Sequence, residues 1–394
     1  MEIELKKLGE ITTGNTPSKK DEKYWDSADI CFVKPDGIAD EGITLINDSS
    51  EYISENARGK ARVVSKDAVF VTCIGSIGKV GIADAGDYAF NQQINVIEPN
   101  EKVLPRYLAY SLLYSKPRLV AIANAPVVPI INKTQFGEFI VNIEEDKTKQ
   151  AEIISVLDKL TGIINSRKRE LESFDELIKA RFVELFGDAV ANPMNWPVKK
   201  LKDLSVQINS GNTPKGGSEN YVEKGITFFR SQNVWKDRLE MDDIAYIDAE
   251  THASMKRSSL KHGDILMTKT GRINTENSSL GRAALYDGED DMANVNGHVY
   301  FIRLKDGVNN KFILRILVSP EYRDLIRSVC VGGIDKRQLN KEHIEDFPII
   351  CPPTEMVDDY VAFVKQVDKS KVAVQKALDE AQLLFDSLMQ EYFG

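Results

Sequence analysis

The sequence predicts an α+β fold: two similar mixed α/β domains separated by a pair of long antiparallel coiled-coil helices, with a pseudo-two-fold relation between the halves. Two observations predict this fold. A series of short motifs in the first half of the 394 residues recurs in the same order in the second half. Each half also ends in a heptad-patterned stretch of about 40 residues, which would be roughly 60 Å long as a helix.

The duplication predicts the domain boundaries, because self-similarity at a fixed period marks a repeated structural unit. We expect a first domain at 1–145, a helix at 146–187, a linker at 188–197, a second domain at 198–351 and a second helix at 352–394. The matched pairs are Lys6-Lys7-Leu8 with Lys199-Lys200-Leu201, Gly14-Asn15-Thr16-Pro17 with Gly211-Asn212-Thr213-Pro214, 30–34 with 226–230, Gly75-Ser76-Ile77 with Gly271-Arg272-Ile273, 91–95 with 294–298, 131–136 with 334–339, and Leu185-Phe186-Gly187 with Tyr392-Phe393-Gly394.

Each domain is predicted to contain short strands and one well-marked helix. Apolar runs rich in β-branched residues, such as 68–74, are cut by Gly, Asn and Asp turns, which indicates strands. A helix is expected at 105–115, where Pro105 occupies a first-turn position, and its counterpart is expected at 310–317.

The two tails are predicted to be helical from their heptad spacing. One seam of the first tail contains Leu157, Ile164, Leu171, Ile178 and Leu185, and one seam of the second contains Val367, Val374, Ala381 and Leu388. Sustained heptads favour a coiled coil. One such tail alone could also be a helix packed on its own domain, but two matching tails in one chain favour pairing with each other.

Composition restricts the function classes. The chain has no apolar run of the ~18–20 residues that span a bilayer and no secretory signal at Met1-Glu2-Ile3-Glu4-Leu5. The four cysteines are scattered and the four histidines lack ligand spacing, so we expect a cytoplasmic protein without disulfides or a metal site. A net charge of −9 is unfavourable for binding DNA alone, and favours a partner that completes a basic channel.

Enzymatic motifs are not found in the sequence. It contains no GxGxxG after a strand, no GxxxxGK[ST], no GxSxG and no HExxH. Asn192-Pro193-Met194-Asn195 and Pro352-Pro353-Thr354-Glu355 do not match the Asn/Asp-Pro-Pro-aromatic motif of amino-methyltransferases. We therefore expect neither catalytic residues nor a cofactor.

Polar residues in loops are the candidate functional residues. Asn and Gln can bond adenine, Arg and Lys can bond guanine, and hydroxyls or lysines can hold phosphate. The candidates from the first half are Asn15, Thr16, Lys19, Lys34, Ser76, Lys79, Asn91, Gln92, Gln93 and Lys133. Those from the second half are Asn212, Thr213, Lys215, Arg230, Gln232, Lys269, Arg272, Arg282, Asn294, Asn296, His298, Lys336 and Arg337.

Each candidate cluster also has a purely structural interpretation. The Gly-Asn-Thr-Pro loops could be ordinary turns, and Lys34 and Arg230 could be solvated strand ends. The amides at 91–95 could cap loops internally, although burying such amides without partners is costly. The second copy of the cluster at 75–79 contains an insertion at 274–279, and inserted loops on a shared scaffold often carry specificity.

Several motifs together resemble a known family. Thr13-Gly14-Asn15-Thr16-Pro17-Ser18, then Tyr24-Trp25, Gly75-Ser76-Ile77-Gly78-Lys79-Val80-Gly81 and Asn91-Gln92, are similar to the target-recognition domains of type I restriction-modification specificity subunits. Pro352-Pro353, followed by an amphipathic helix ending Leu384-Phe385-Asp386-Ser387-Leu388, resembles the spacer helix of that family.

The resemblance implies a DNA-binding subunit without its own catalysis. Each domain would read one half of a bipartite site in double-stranded DNA, and the paired helices would set the gap between the halves. Two methyltransferase subunits would supply S-adenosylmethionine-dependent chemistry, and motor-nuclease subunits would join the complex. Because the two domains differ in sequence, we expect an asymmetric target. The alternatives are a coiled-coil scaffold without DNA specificity and a fragment of a fused restriction-methylation enzyme.

Overall fold

The computed structural model describes residues 1–123, 128–273, 275 and 277–394, and the chain divides into two compact units. The first unit consists of Met1–Leu171 and Val372–Gly394, and the second consists of Glu172–Lys371. Both tails therefore contribute to both units. Of the expected insertion at 274–279, positions 274 and 276 lie outside the described residues.

The first unit contains three sheets, with strand orders β2-β10-β7-β8-β4, β5-β3-β9-β6 and β1-β11. Neighbouring strands are antiparallel except for the parallel pairs β3–β9 and β4–β8. The strands are β1 (Glu2–Glu4), β2 (Gly9–Thr13), β3 (Ile30–Val33), β4 (Ile43–Ile46), β5 (Tyr52–Ile53), β6 (Val63–Val64), β7 (Val69–Thr72), β8 (Val80–Ala83), β9 (Tyr88–Phe90), β10 (Ile94–Pro99) and β11 (Ile140–Asn142). The helices are α1 (Pro105–Tyr114), α2 (Lys116–Ile122), α3 (Lys133–Glu138) and α4 (Lys147–Phe186).

Side chains of β7 alternate between two core clusters, which explains why consecutive residues of this strand are apolar. Val69 and Val71 face the cluster that includes residues of α1, and Phe70 faces a second cluster shared with Tyr88 and Phe90 of the neighbouring sheet. Successive side chains of a strand point to opposite faces, so a sheet covered on both faces needs a continuous apolar run.

The second unit repeats this construction, with strand orders β13-β21-β17-β19, β14-β16-β15-β20, β18-β23-β22 and β12-β24. In β17, Ile265 and Met267 face one core cluster and Leu266 faces the other. The strands are β12 (Val198–Lys200), β13 (Ser205–Ser210), β14 (Tyr221–Val222), β15 (Ile226–Phe229), β16 (Ala245–Ile247), β17 (Ile265–Thr268), β18 (Thr270–Arg272), β19 (Ala283–Leu285), β20 (Ala293–Val295), β21 (Val299–Leu304), β22 (Val331–Gly332), β23 (Lys336–Gln338) and β24 (Pro348–Ile350). The helices are α5 (Leu201–Leu204), α6 (Ala249–Ser254), α7 (Asn310–Leu317), α8 (Pro320–Val329), α9 (Lys341–Glu345) and α10 (Thr354–Phe393).

The two tails are continuous helices of 40 residues each, and they pack against each other as an antiparallel pair. In the first unit, Leu157 of α4 shares a core cluster with Met389 and Phe393 of α10. In the second unit, Asp175 of α4 bonds Lys371 of α10 at 2.6 Å. The two helices therefore run in opposite directions. Helices α1 and α7 pack beside the pair.

Helix α4 ends at a glycine for a local reason. Gly187 adopts φ +75°, and its N–H donates to the carbonyl oxygen of Val183. A left-handed glycine after the last turn is a common helix terminator. The Trp196 indole N–H then donates to the Phe186 carbonyl oxygen at 3.1 Å, which fixes the segment between α4 and β12 within the second unit.

The predicted fold class is confirmed: the architecture is mixed α/β with two similar repeats and two long helices that pack together. The helix expected at 105–115 is α1, and its expected counterpart is α7. Within the described residues, none of the helices combines the length and apolar character needed to cross a bilayer.

Candidate nucleic-acid interface

In the first unit, the Gly-Asn-Thr-Pro loop meets the segment that follows β9. The N–H of Asn15 donates to the Phe90 carbonyl oxygen at 3.0 Å. The Asn15 side chain donates to the Lys60 carbonyl oxygen at 2.6 Å and accepts from the Arg62 N–H at 2.8 Å. Thr16 and Gln92 are exposed, and the Thr16 hydroxyl donates to the Gln92 amide oxygen at 3.0 Å. Asn15 therefore holds the loops together, whereas Thr16 and Gln92 present hydrogen-bonding groups to solvent.

Gly14 is required at the base of this loop. A Cβ at this position would lie 2.2 Å from the Asn91 carbonyl oxygen. The equivalent Gly211 has the same close approach, 1.9 Å from the Val295 carbonyl oxygen. Each loop therefore crosses directly over the end of a strand, and only glycine has the space to do so.

Backbone hydrogen bonds show that the sequence alignment of 91–95 with 294–298 was wrong by two residues. The N–H of Asn91 donates to the Val33 carbonyl oxygen, and the N–H of Asn296, not that of Asn294, donates to the equivalent Phe229 oxygen. Both asparagines also accept from the N–H two residues on, at 3.1 and 3.0 Å. Gln93 and His298 are therefore equivalent positions.

The alignment of 131–136 with 334–339 was also wrong. Asn132 caps α3 through a capping box with Gln135, and Asn340 caps α9 through a capping box with His343. The structural counterpart of Lys133 is thus Lys341. Lys336 and Arg337 instead lie in β23, which pairs with β18 and β22.

Three predicted site residues are buried and have partners within the fold. Asn294 donates to the Met255 carbonyl oxygen at 3.1 Å and to the Ser258 hydroxyl at 3.2 Å. The Asn91 amide donates to Gln93 at 2.8 Å. The Arg282 Nε donates to the Ser278 carbonyl oxygen at 3.0 Å. These contacts stabilise the loops from behind.

Arg282 also stacks on an aromatic ring. Its guanidinium lies 3.9 Å from the centre of the Trp235 ring, and Arg238 lies 5.4 Å from the same ring. Desolvation, followed by repulsion from Arg323 and Arg238, lowers the pKa of Arg282. The stacking holds this cation at the start of β19, where Lys79 occupies the equivalent position before β8.

Several predicted cations are already paired with nearby acids. Lys34 bonds Glu51, and Lys19 bonds the same carboxylate at 3.2 Å. The hydrogen bond from Lys34 is the main reason that the pKa of Glu51 is lowered. Lys79 pairs with Asp40 at 3.0 Å. The carboxylates of these pairs are part of the acidic excess in the composition.

The second unit has the same kind of pairing beyond β15. Arg230 bonds Asp243 at 3.1 Å, and the Gln232 amide donates to Asp243 at 2.6 Å. Hydrogen bonds from Gln232 and then Arg230 lower the pKa of Asp243. An incoming phosphate would compete with these carboxylates for the cations.

The remaining predicted residues are exposed or half-buried. Lys269 is half-buried, and its ammonium lies 5.8 Å from the centre of the Tyr300 ring. The exposed members of the predicted set are Thr16, Lys19, Ser76, Gln92, Lys133, Asn212, Thr213, Lys215, Gln232, Arg272, His298 and Lys336. Sequence reasoning missed Gln338, which the pairing of β18 with β23 places on the same strand face as Arg272 and Lys336. It also missed the exposed Ile334, which lies in the connection between β22 and β23.

The two units present unlike polar loops on one shared scaffold, and such loops are suited to a target that offers hydrogen-bonding groups. The family "Type I restriction modification DNA specificity domain" matches residues 1–173 and 193–381. The chain therefore belongs to the type I restriction-modification DNA-specificity family, and its role is that of the DNA-specificity subunit.

Curated relatives agree with this assignment. The chain is similar to the type I restriction enzyme MjaIX specificity subunit of Methanocaldococcus jannaschii, with 24% identity over 415 aligned positions, 98% of this chain and 90% of the relative. It is 32% identical over 109 residues to the HindI specificity subunit of Haemophilus influenzae, covering 27% and 23% of the two chains.

The fold matches that of the type I S subunit from M. genitalium, with a TM-score of 0.59, 14% identity, and coverage of 100% of this chain and 96% of the other. A structure described as underlying complex assembly and conformational transition of the type I restriction-modification system has a TM-score of 0.58, with 16% identity and coverage of 100% and 97%.

Proposed function

We propose that this subunit reads an asymmetric, two-part DNA site, one part with each unit. The observation that carries this proposal is that equivalent backbone positions hold different side chains. Gln93 in the first unit corresponds to His298 in the second, and Ser76 corresponds to Arg272. Base edges are distinguished by donor and acceptor patterns, so unlike side chains at one scaffold position favour unlike half-sites.

The exposed members of the predicted set are proposed to contact DNA directly, and the buried ones to position the loops. Thr16, Ser76 and Gln92 would contact bases or phosphates in the first half-site. Arg272 and His298 would do so in the second. Asn91, Arg282 and Asn294 would act through the loops that they support.

The chain is proposed to act within a larger cytoplasmic complex and to have no catalytic activity of its own. Two methyltransferase subunits would supply S-adenosylmethionine-dependent adenine methylation, and motor-nuclease subunits would add ATP-driven cleavage. The length of the α4–α10 pair would set the number of base pairs between the half-sites. Partner subunits would also contribute positive charge, because this chain carries −9 overall.

Domain grafting with methylome sequencing tests the proposal. Residues 1–145 are replaced by the equivalent segment of another specificity subunit, and the methylated motif is sequenced in a host that expresses the whole complex. We expect one half-site to change and the other to be retained. A change in both half-sites would contradict the modular arrangement.

Two further measurements test the ruler and the alternatives. Deleting one heptad from each of α4 and α10 should change the gap and preserve both half-sites, and an unchanged gap would reject the ruler. Methyl transfer by the purified chain with S-adenosylmethionine alone would support the fused-enzyme alternative. Absence of any motif in the complete complex would support the scaffold alternative.

A further inference from the structure

A small three-stranded ribbon projects from the predicted interface of the second unit. It consists of β18, β23 and β22, with a tight connection at 333–335, and we call it the second-unit ribbon. Gly332 at the turn adopts φ +136°, and a Cβ there would lie 2.8 Å from the Lys336 carbonyl oxygen. The turn geometry therefore depends on glycine.

The base of the second-unit ribbon is firmly attached. Leu339, at its end, is completely buried, and its N–H donates to the Lys269 carbonyl oxygen at 2.9 Å. The Lys269 N–H in turn donates to the His298 carbonyl oxygen at 2.8 Å. A Cβ on Gly271 would lie 2.3 Å from the Leu280 nitrogen, so the back of the ribbon is packed closely on that segment.

Strand register places one set of side chains together on the opposite face. Arg272 is directly across from Lys336, and Thr270 is directly across from Gln338. Alternate residues of a strand share a face, so these four side chains are neighbours. Arg272, Lys336 and Gln338 are exposed and Thr270 is half-buried. The face therefore consists of hydrogen-bonding groups and two cations.

A contribution to the stability of the fold does not explain why these side chains occur on this face. Two cations directly opposite each other on antiparallel strands repel. The ion pair of Arg272 with Asp335, at 3.3 Å, is exposed on both sides and contributes little. At the tip, Ile334 is 90% exposed, so it contributes almost nothing to the core. A ribbon with cations in register and an isoleucine at its tip is suited to an anionic target that also has apolar groups.

We propose that the second-unit ribbon enters the major groove of the second half-site. This inference rests on the proposed function. The major groove admits a two-stranded β-ribbon. Arg272 would bond a guanine edge, Gln338 would bond an adenine edge, and Lys336 would contact phosphate. Ile334 would lie against a thymine methyl group, an apolar contact that only the major groove offers.

The first unit has a shorter loop at the position of the second-unit ribbon. Thr72 and Lys79 enclose six residues, 73–78, whereas the equivalent Thr268 and Arg282 enclose thirteen, 269–281. At the position of β18, the first unit has an isolated bridge from Ile74 to Ile130 and a hydrogen bond from the Gly75 N–H to the Pro129 carbonyl oxygen at 3.0 Å. The ribbon would thus distinguish the second half-site from the first.

Methylome sequencing of complexes that carry Arg272→Ala, Gln338→Ala or Ile334→Ala tests the inference. Each bidentate contact contributes roughly tenfold discrimination, so Arg272→Ala and Gln338→Ala should each relax one base pair of the second half-site about tenfold. Ile334→Ala should weaken the preference for one thymine by a smaller factor. The first half-site should be unchanged in all three variants.

Lys224→Ala is the matched control, because Lys224 is an exposed cation of the same unit outside the ribbon. It should leave the motif unchanged. A motif retained in full by all three ribbon variants, or relaxed in the first half-site, would overturn the inference. If the wild-type complex itself methylates without any motif, the proposed function fails instead, so the two failures are distinguishable.

A measurement on the wild-type complex avoids the risk that a variant misfolds. Hydrogen exchange is compared with and without DNA that contains the motif, and with DNA in which only the second half-site is scrambled. Amides of 331–338 should be protected only when the second half-site is intact. Equal exchange in all three states would overturn the inference.

Discussion

The two units fill one position beside the helix pair with different side chains. In the first unit, Tyr110 of α1 is buried, and its hydroxyl donates to the Asp158 carboxylate at 2.6 Å and lies 3.3 Å from the Thr161 hydroxyl. In the second unit, α7 has Arg315 at this place. Among the described residues, Arg315 has neither an ion pair nor a hydrogen bond.

The space around these side chains differs accordingly. The Tyr110 ring lies 6.3 Å from that of Phe385, which closes the junction of α1 with the helices. In the second unit, Arg315 borders a cleft of about 790 Å³, together with Tyr360, Lys371 and Asp237. The Tyr360 hydroxyl is buried and has no hydrogen-bond partner among the described residues. Its burial is the main reason that the pKa of Tyr360 is raised.

The aromatic contacts next to this position are conserved between the units. Phe393 packs on Tyr107 at 5.1 Å, and Phe186 packs on Phe312 at 5.0 Å. The comparison teaches that apolar packing maintains the duplicated junction, whereas its polar groups have diverged. A ring at the centre of a junction cannot change without leaving a void, but polar groups at the edge can exchange water for protein partners.

The largest expected effect is that of Phe186→Ala. Phe186 is completely buried and contacts three aromatic rings, those of Phe182, Phe312 and Tyr360. Removing a buried phenylalanine ring costs about 3–5 kcal/mol. Native-state hydrogen exchange should show the opening free energy of the α7 amides reduced by that amount.

Phe393→Ala is the matched control in the first unit, where the ring is 2% exposed and contacts Tyr107 and Tyr114. It should reduce the protection of α1 amides by a similar or smaller amount. If Phe186→Ala leaves α7 protection unchanged, apolar packing does not maintain this junction and the comparison is broken.

The core sheets differ by one buried ion pair. Asp264, 1% exposed, pairs with Arg303 at 2.7 Å, and the matching positions of the first unit hold Ala68 and Glu98. Removing one partner leaves an uncompensated charge. Arg303→Met should therefore cost about 2–3 kcal/mol at pH 7, below the full range because Arg303 is one quarter exposed.

The pH dependence of that loss follows from the pKa of Asp264. Desolvation raises this pKa despite the opposing effect of Arg303, so the folded state takes up a proton at higher pH than the unfolded state. The contribution of Asp264 to stability therefore falls as pH rises above the ordinary value of 3.8. Arg303→Met raises the pKa further, so its cost should shrink on acidification toward pH 4.

Urea unfolding at several pH values measures this dependence. Arg303→Lys is the control, because it retains a positive charge and should be less destabilised at pH 7. A cost of Arg303→Met that stays constant between pH 7 and pH 4 would show that the charge of Asp264 is not its origin.

The helices and the repeated scaffold were predictable because their signals are local or periodic. The heptads at Leu157, Ile164 and Ile178 mark a buried seam, and all three side chains are buried. The Gly14 and Gly211 loops were found because both need the same close backbone approach. Periodicity and turn chemistry are properties of neighbouring residues, so the sequence contains them directly.

Register and burial within the site were not predictable in the same way. Asn294 and Asn296 are two residues apart, and residue type cannot decide which of them forms the turn that Asn91 forms. The buried role of Arg282 depends on Trp235, 47 positions away in sequence (282 − 235). The second-unit ribbon joins short strands from distant segments, and short strands give no period to detect.

The smallest expected effects separate the two polar junctions. Tyr110→Phe removes a hydrogen bond to Asp158, a carboxylate that is 41% exposed and can be solvated, so the loss should be about 1 kcal/mol. Arg315→Met removes a guanidinium that forms neither an ion pair nor a hydrogen bond among the described residues and that only attracts Asp237 electrostatically, so stability should change by less than about 0.5 kcal/mol. Hydrogen exchange of α1 and α7 amides measures both. An Arg315→Met loss as large as that of Tyr110→Phe would mean that the guanidinium is held in place after all, and the contrast between a closed and an open junction would then have to be abandoned.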